Sequence, residues 1–230
     1  MSLTNILAIS ESVGINDQRF VGQMVSRNQR ITTSEILTVV PFAFEMKPMN
    51  YLYYSQNRSL LNSLRIPDKS LTQYLNFSAT DWVVYIEYQG DMTSGQIATA
   101  QWQTSSANKV LVLGNLPSNV VMPTTDYVVR AGDFCQVGLY TYIATADVQR
   151  GSGSTVSIPV HRSLMATLGS AVNAVIGQYG TTVSMGGTTY TGCTFPVVLR
   201  EYPTYTLVPI ANDSFIQWSG NFKAFEIVTQ

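Results

Sequence analysis

Val156, Ile158 and Val160 occupy alternate positions of one short run, with a Gly151-Ser152-Gly153 turn just ahead of it. A period of two puts every second side chain on the same face, which is how a half-buried β-strand is written. From residue 80 onward this pattern keeps returning. Trp82, Val84, Ile86 and Tyr88 are expected on one face of a strand, with Val83, Tyr85 and Glu87 on the other. A loop over 89–95 leads into 96–103, where Ala98, Ala100 and Trp102 share a face. Further strands are expected over 109–113, 126–130, 139–146 and 155–160. A hairpin turning at Gly186-Gly187 follows, and the chain closes with strands at 195–199, 205–209, 215–218 and 222–228. Residues 163–176 fit a helical period through Leu164, Met165, Leu168, Val172 and Val175, weakened by Gly169.

The first third reads differently. Residues 1–30 carry no sustained period, and Gly14, Asn16, Asp17, Gly22 and Asn28 interrupt them. They are expected to form an N-terminal arm, with 21–25 able to pair with a neighbour's edge. The β-branched run 32–44 reads as one strand with Pro41 near its end. A helical insert is expected around residues 55–75. Ser55 caps its first helix, with Leu60, Leu61 and Leu64 at helical spacing before Pro67. Ser70 caps a second, with Leu71, Tyr74 and Leu75 on one face. No linker divides the remainder, so 31–230 reads as one β-rich body. The fold class is therefore mainly β, an antiparallel sandwich or barrel with a helical insert.

Charged residues are 12% of the chain, about half the usual share of roughly 25%. Thirteen basic and 14 acidic residues leave a net charge of -1, with no positive field to hold nucleic acid or an anionic membrane. Ser, Thr, Asn, Gln and Tyr stand where charges usually do, which suits surfaces that meet other subunits. No targeting signal or membrane-length apolar segment is read, so synthesis in a cytoplasm is expected. Cys135 and Cys193 are expected as buried free thiols.

Little in the sequence supports catalysis. His161 is the single histidine, and no nucleophile turn or second imidazole accompanies it. It is expected at the surface or an interface. The carboxylates Asp81, Glu87 and Asp91, and the pair Asp133 and Asp147, could in principle serve glycoside cleavage. Glu87 and Asp91 are the nearest pair, and both have simpler readings as a strand face and a turn. One histidine with two distant cysteines makes a poor metal site. Arg150 and the Gly-Ser-Gly-Ser that follows lack the Lys and helix of a phosphate loop and read as a hairpin turn. Trp82, Trp102 and Trp218, with 13 tyrosines, could build a sugar-stacking platform, but read first as core or interface. No catalytic, cofactor-binding or metal-ligating residue is assigned, and no cofactor is expected.

Residues 130–162 (RAGDFCQVGLYTYIATADVQRGSGSTVSIPVHR) resemble small β-barrel segments of tailed-bacteriophage virion proteins. Residues 199–228 resemble the closing strands of phage minor and distal tail proteins, with Trp218, Gly220, Phe222, Glu226 and Ile227 at the matching positions. The resemblance covers roughly the second half. It implies a fold of tail-tube type, with one helix on two packed sheets, and a structural subunit of a phage tail or baseplate. Such a subunit would be located in the virion and would form a homo-oligomeric ring near the tube–baseplate junction, contacting other tail proteins. The first 80 residues match no particular tail component. Other readings are a carbohydrate-recognising module of a receptor-binding tail protein, a capsid decoration or head–tail joining protein, and a tail-associated glycosidase.

Overall fold

The computed structural model describes residues 3–16, 21–25, 31–35, 41–64, 71–77, 84–105, 108–165, 170–180, 183–185 and 187–228. The protein is mainly β and its sheets are antiparallel, a half-barrel among them. Both ends of the chain build one five-stranded sheet, in the order Ser10–Asn16, Ala43–Pro48, Phe222–Glu226, Thr194–Glu201, Gln73–Asn76. The alternation in Ala43–Pro48 sends Phe44 and Met46 inward and Glu45 and Lys47 outward. Its neighbours match: Phe44 pairs with Ala224 and Met46 with Phe222. The inner face meets Leu75, Phe77, Phe195, Val197 and Leu199 in a first core.

The segment between the two parts of this sheet builds a second core. One four-stranded sheet runs Tyr140–Ile143, Phe134–Val137, Val175–Ile176, Tyr179–Gly180; another runs Val156–Pro159, Val110–Gly114, Gln101–Gln103, Val172–Asn173. Trp102, Leu111, Leu113, Val128, Tyr142 and Ile158 fill the space they enclose. Phe134–Val137 belongs to both cores. All four of its residues are buried, with Phe134 in the first core and Cys135 and Val137 in the second. A strand covered on both faces has no reason to alternate in polarity, and this one does not. Gln136 ties the two parts together. Its side chain accepts from Thr194 N (2.8 Å) and donates to Thr194 O (3.0 Å), completing a strand-like pairing with an amide.

Several expectations need correction. The strand over 82–88 is not one: Val84–Ile86 is a 3-10 turn, while Trp82 and Val83 lie outside the described residues. Ile86 and Tyr88 are buried as expected, but Val84 is exposed. A tight approach explains the turn. Gly177, at φ 58, packs so close that a Cβ there would meet Ile86 O at 2.7 Å. Part of 96–103 is helical instead. Thr93 and Gln96 form a reciprocal capping box that starts Ser94–Thr99, leaving only Gln101–Gln103 extended. The run 32–44 is two strands, Ile31–Glu35 and Ala43–Pro48.

Half of the expected helical insert is present as Tyr54–Leu64. Ser55 is not its cap but lies in its first turn, bonded to Asp213 (2.5 Å). The second half is the strand Gln73–Asn76, paired with Thr194–Glu201. Of the ambiguous stretch 163–176, Val172–Asn173 and Val175–Ile176 are extended. Nor is the N-terminal segment a free arm over 3–16. Leu3, Ile6 and Leu7 are fully buried in the first core, and Ser10–Asn16 pairs with Ala43–Pro48. Farther on, Val21–Val25 pairs with Ile31–Glu35 as a two-stranded ribbon.

Candidate functional site

The groups that could carry chemistry are occupied with structure. His161, expected at the surface or an interface, is buried within the chain, and its ring lies 5.4 Å from Phe42. Its Nδ1 accepts the Ile143 N–H (2.9 Å), which in the neutral ring places the proton on Nε2. Asp133 accepts from Gln89 N and Arg130 N, both at 2.8 Å. Burial raises its carboxyl above the usual range, against the pull of those two N–H groups. Asp147 accepts from Ala131 N (2.8 Å) and Asp91 from Tyr127 N (2.7 Å). Glu87 is exposed on the segment after the 3-10 turn, and Asp81 lies outside the described residues.

The two thiols are buried and unbonded to each other. Burial pushes both upward from the ordinary cysteine value, so each stays protonated and poorly nucleophilic. Arg150 does not face a ligand. It reaches Pro117 O through Nε and Nη2 (2.9 and 2.6 Å) and Gly151 O through Nη1 (3.0 Å), pinning its own loop. That loop is not a hairpin turn, because the strands flanking it pair elsewhere: Val148 with Val129, and Val156 with Leu113. Among the described residues no three of His, Cys, Asp and Glu gather to hold a metal ion. No helix there is long and apolar enough to cross a membrane.

The surface is more informative, because its charge is unevenly placed. The outer face of the five-stranded sheet carries cross-strand ion pairs. Lys223 meets Glu201 at 3.0 Å, Lys47 meets Glu11, and Glu45 accepts from Asn221 (2.8 Å). Such a face is built for water.

A separate three-stranded sheet, Tyr205–Ile210, Asp213–Trp218, Leu52–Tyr53, is built otherwise. Its register places Val208, Phe215 and Tyr53 in one row across the outer face. Phe215 packs against Tyr53 at 4.8 Å with the rings tilted by 42° and meets Tyr51 edge-on at 5.9 Å. Tyr51 is 70% exposed and holds a left-handed backbone (φ 66), a conformation that costs a bulky residue about 1–2 kcal/mol. Val208 in this row and Ile210 beside it are exposed. The one carboxylate at its end, Asp213, is already engaged. The Ser55 hydroxyl and the Ser214 N–H hold it below the usual carboxylate range.

An apolar stripe of this kind, rimmed by polar groups, is the surface signature of a contact site. The free edge of the sheet is less inviting. Pro209 pairs with Ser214 and has no N–H, so its ring nitrogen belongs on the open side, where it blunts strand addition.

Behind the same sheet lies a cleft of about 460 Å³ lined by Tyr54, Leu61, Tyr202, Pro203, Thr204, Tyr205, Leu207 and Trp218. Register separates cleft from stripe. Tyr205 pairs with Trp218 and Leu207 with Ile216, on the face opposite Val208 and Phe215. Of the tryptophans among the described residues, Trp218 lines a surface feature and Trp102 does not. Trp102 is wholly buried, with Nε1 donating to Gln136 O (2.8 Å), and Trp82 lies outside the described residues.

Sequence reasoning missed both stripe and cleft, since strand alternation gives two faces without saying which one is left bare. Compared with known proteins, the chain matches no family model and no curated protein.

Proposed function

We propose that the protein is a non-catalytic structural subunit of a bacteriophage tail or baseplate, assembling with copies of itself into a ring near the tube–baseplate junction. The observation that supports assembly is the neutral stripe of Tyr51, Tyr53, Val208, Ile210 and Phe215, while the exposed ion pairs among the described residues lie on a different sheet. Interface cores are depleted in charge and enriched in aromatic residues, and this stripe has that composition. Each copy in a closed ring covers its neighbour's stripe, and closure limits growth. Pro209 at the sheet edge favours contact through the face over open-ended strand pairing. The particle itself is suggested by the tail-like segments 130–162 and 199–228, which supply seven of the strands described above.

The test is to map the chain in purified phage particles with gold-labelled antibody. Label at the tail or baseplate is the expected result. Label on the head favours the decoration or joining reading, and unlabelled particles that contain every other structural protein contradict both.

A further inference from the structure

We infer that the cleft behind the three-stranded sheet is a binding site for a neutral carbohydrate, a function separate from assembly and carried by the opposite face. Four of its eight lining residues are aromatic, and none of the eight is charged, which disfavours phosphates, carboxylates and amines as ligands. A purely aliphatic ligand fits poorly too. Tyr54 and Tyr205 would bring hydroxyls to its wall for which such a ligand offers no partner. A pyranose satisfies both demands, offering a face of C–H groups to the ring faces and hydroxyls to the polar tips. The volume of about 460 Å³ is within the range of small-ligand pockets.

The walls are held before any ligand arrives. Trp218 packs on Phe222 at 5.2 Å and 64°, Tyr205 meets Trp218 at 5.3 Å and 65°, and Tyr202 meets Phe222 at 5.2 Å and 81°. Phe222 is itself wholly buried in the first core, so two of these rings rest on a fixed base. Rings fixed in this way lose little freedom when a ligand stacks on them. At one end, Ser219 N donates to Thr204 O (2.8 Å), and the two hydroxyls lie 2.9 Å apart.

The experiment uses the full chain and two neutral trisaccharides, maltotriose and tri-N-acetylchitotriose, with binding read by calorimetry and saturation-transfer NMR. Saturable millimolar binding of at least one is expected. Tyr205→Ala should weaken it about tenfold or more, while Val208→Asp on the other face leaves it unchanged. Leu207→Lys, at an exposed position, sets a charged chain across the cleft without touching the core, and should also abolish binding. It keeps the test decisive if Tyr205→Ala fails to fold. No saturable binding of either sugar by the folded protein overturns the inference. So does binding that both cleft variants leave intact. Assembly of the same variants is followed by sedimentation, so failure of the sugar site is read separately from failure of the ring.

Discussion

Replacing Glu226 by Gln should lower the unfolding free energy by about 3–5 kcal/mol, one of the largest single-residue losses expected anywhere in this protein. Glu226 ends the strand Phe222–Glu226 and forms a two-pronged pair with Arg162, at 2.6 and 2.7 Å, with both residues almost wholly buried. Arg162 also donates to Thr141 O (2.6 Å), and its guanidinium lies over Phe42 (4.9 Å) and Tyr142 (5.4 Å). The Phe42 N–H is bonded to the same carboxylate at 3.1 Å. The pair thus joins the last strand of the terminal sheet to the end of the second core. Removing one charge strands the other in a dry site, which is why the cost exceeds the worth of the interaction itself. Exchanging both for apolar residues, Arg162→Met with Glu226→Leu, should cost much less than Glu226→Gln alone. Urea unfolding of the three proteins checks this. A Glu226→Gln loss under about 1 kcal/mol would mean that water reaches the pair.

Phe195→Ala should cost about 3–5 kcal/mol, toward the upper end. Phe195 is wholly buried and meets Phe44 at 4.9 Å, Phe42 at 5.3 Å, Phe77 at 5.9 Å and Phe134 at 6.0 Å, each steeply inclined. Edge-to-face pairs add about 0.5–1.5 kcal/mol each beyond the area they bury, and an alanine forfeits all four together with the volume. These partners come from three separate parts of the chain, so the cavity opens where the N-terminal strands, the C-terminal strands and the inserted core converge. Phe195→Leu fills most of that space but gives up the same ring contacts, so it should cost about 2–3 kcal/mol, less than the alanine. Equal losses for Ala and Leu would show that ring geometry, not volume, governs the site.

The two cores explain how much of this was legible in the sequence. The strands at Val110–Gly114 and Val156–Pro159 and the hairpin Val183–Met185 with Thr188–Tyr190 could be read, because alternation or turn residues mark them locally. Leu71, Tyr74 and Leu75 fit a helix equally well, and what makes Gln73–Asn76 a strand is its pairing with Thr194–Val197, more than a hundred residues away. No local pattern carries that information. Leu3, Ile6 and Leu7 did carry a signal, apolar positions at helical spacing, but one turn is too short to stand out from an irregular segment. His161 is expected at the surface or an interface because no catalytic or metal-binding partner accompanies it in sequence, and the Phe42 ring that covers it lies more than a hundred residues away. The stripe and the cleft were illegible for a related reason. Their residues were recognised as strand residues, but exposure depends on what fails to pack against them.

Sedimentation of the purified full chain at micromolar concentration, wild type beside Val208→Asp, tests the central claim most directly. Val208 is exposed, so an aspartate there should leave the fold intact while setting a charge in the middle of the neutral stripe. The account predicts a discrete closed oligomer for the wild type and a folded monomer for the variant. A wild type that stays monomeric at high concentration, or a variant that assembles as the wild type does, would contradict it.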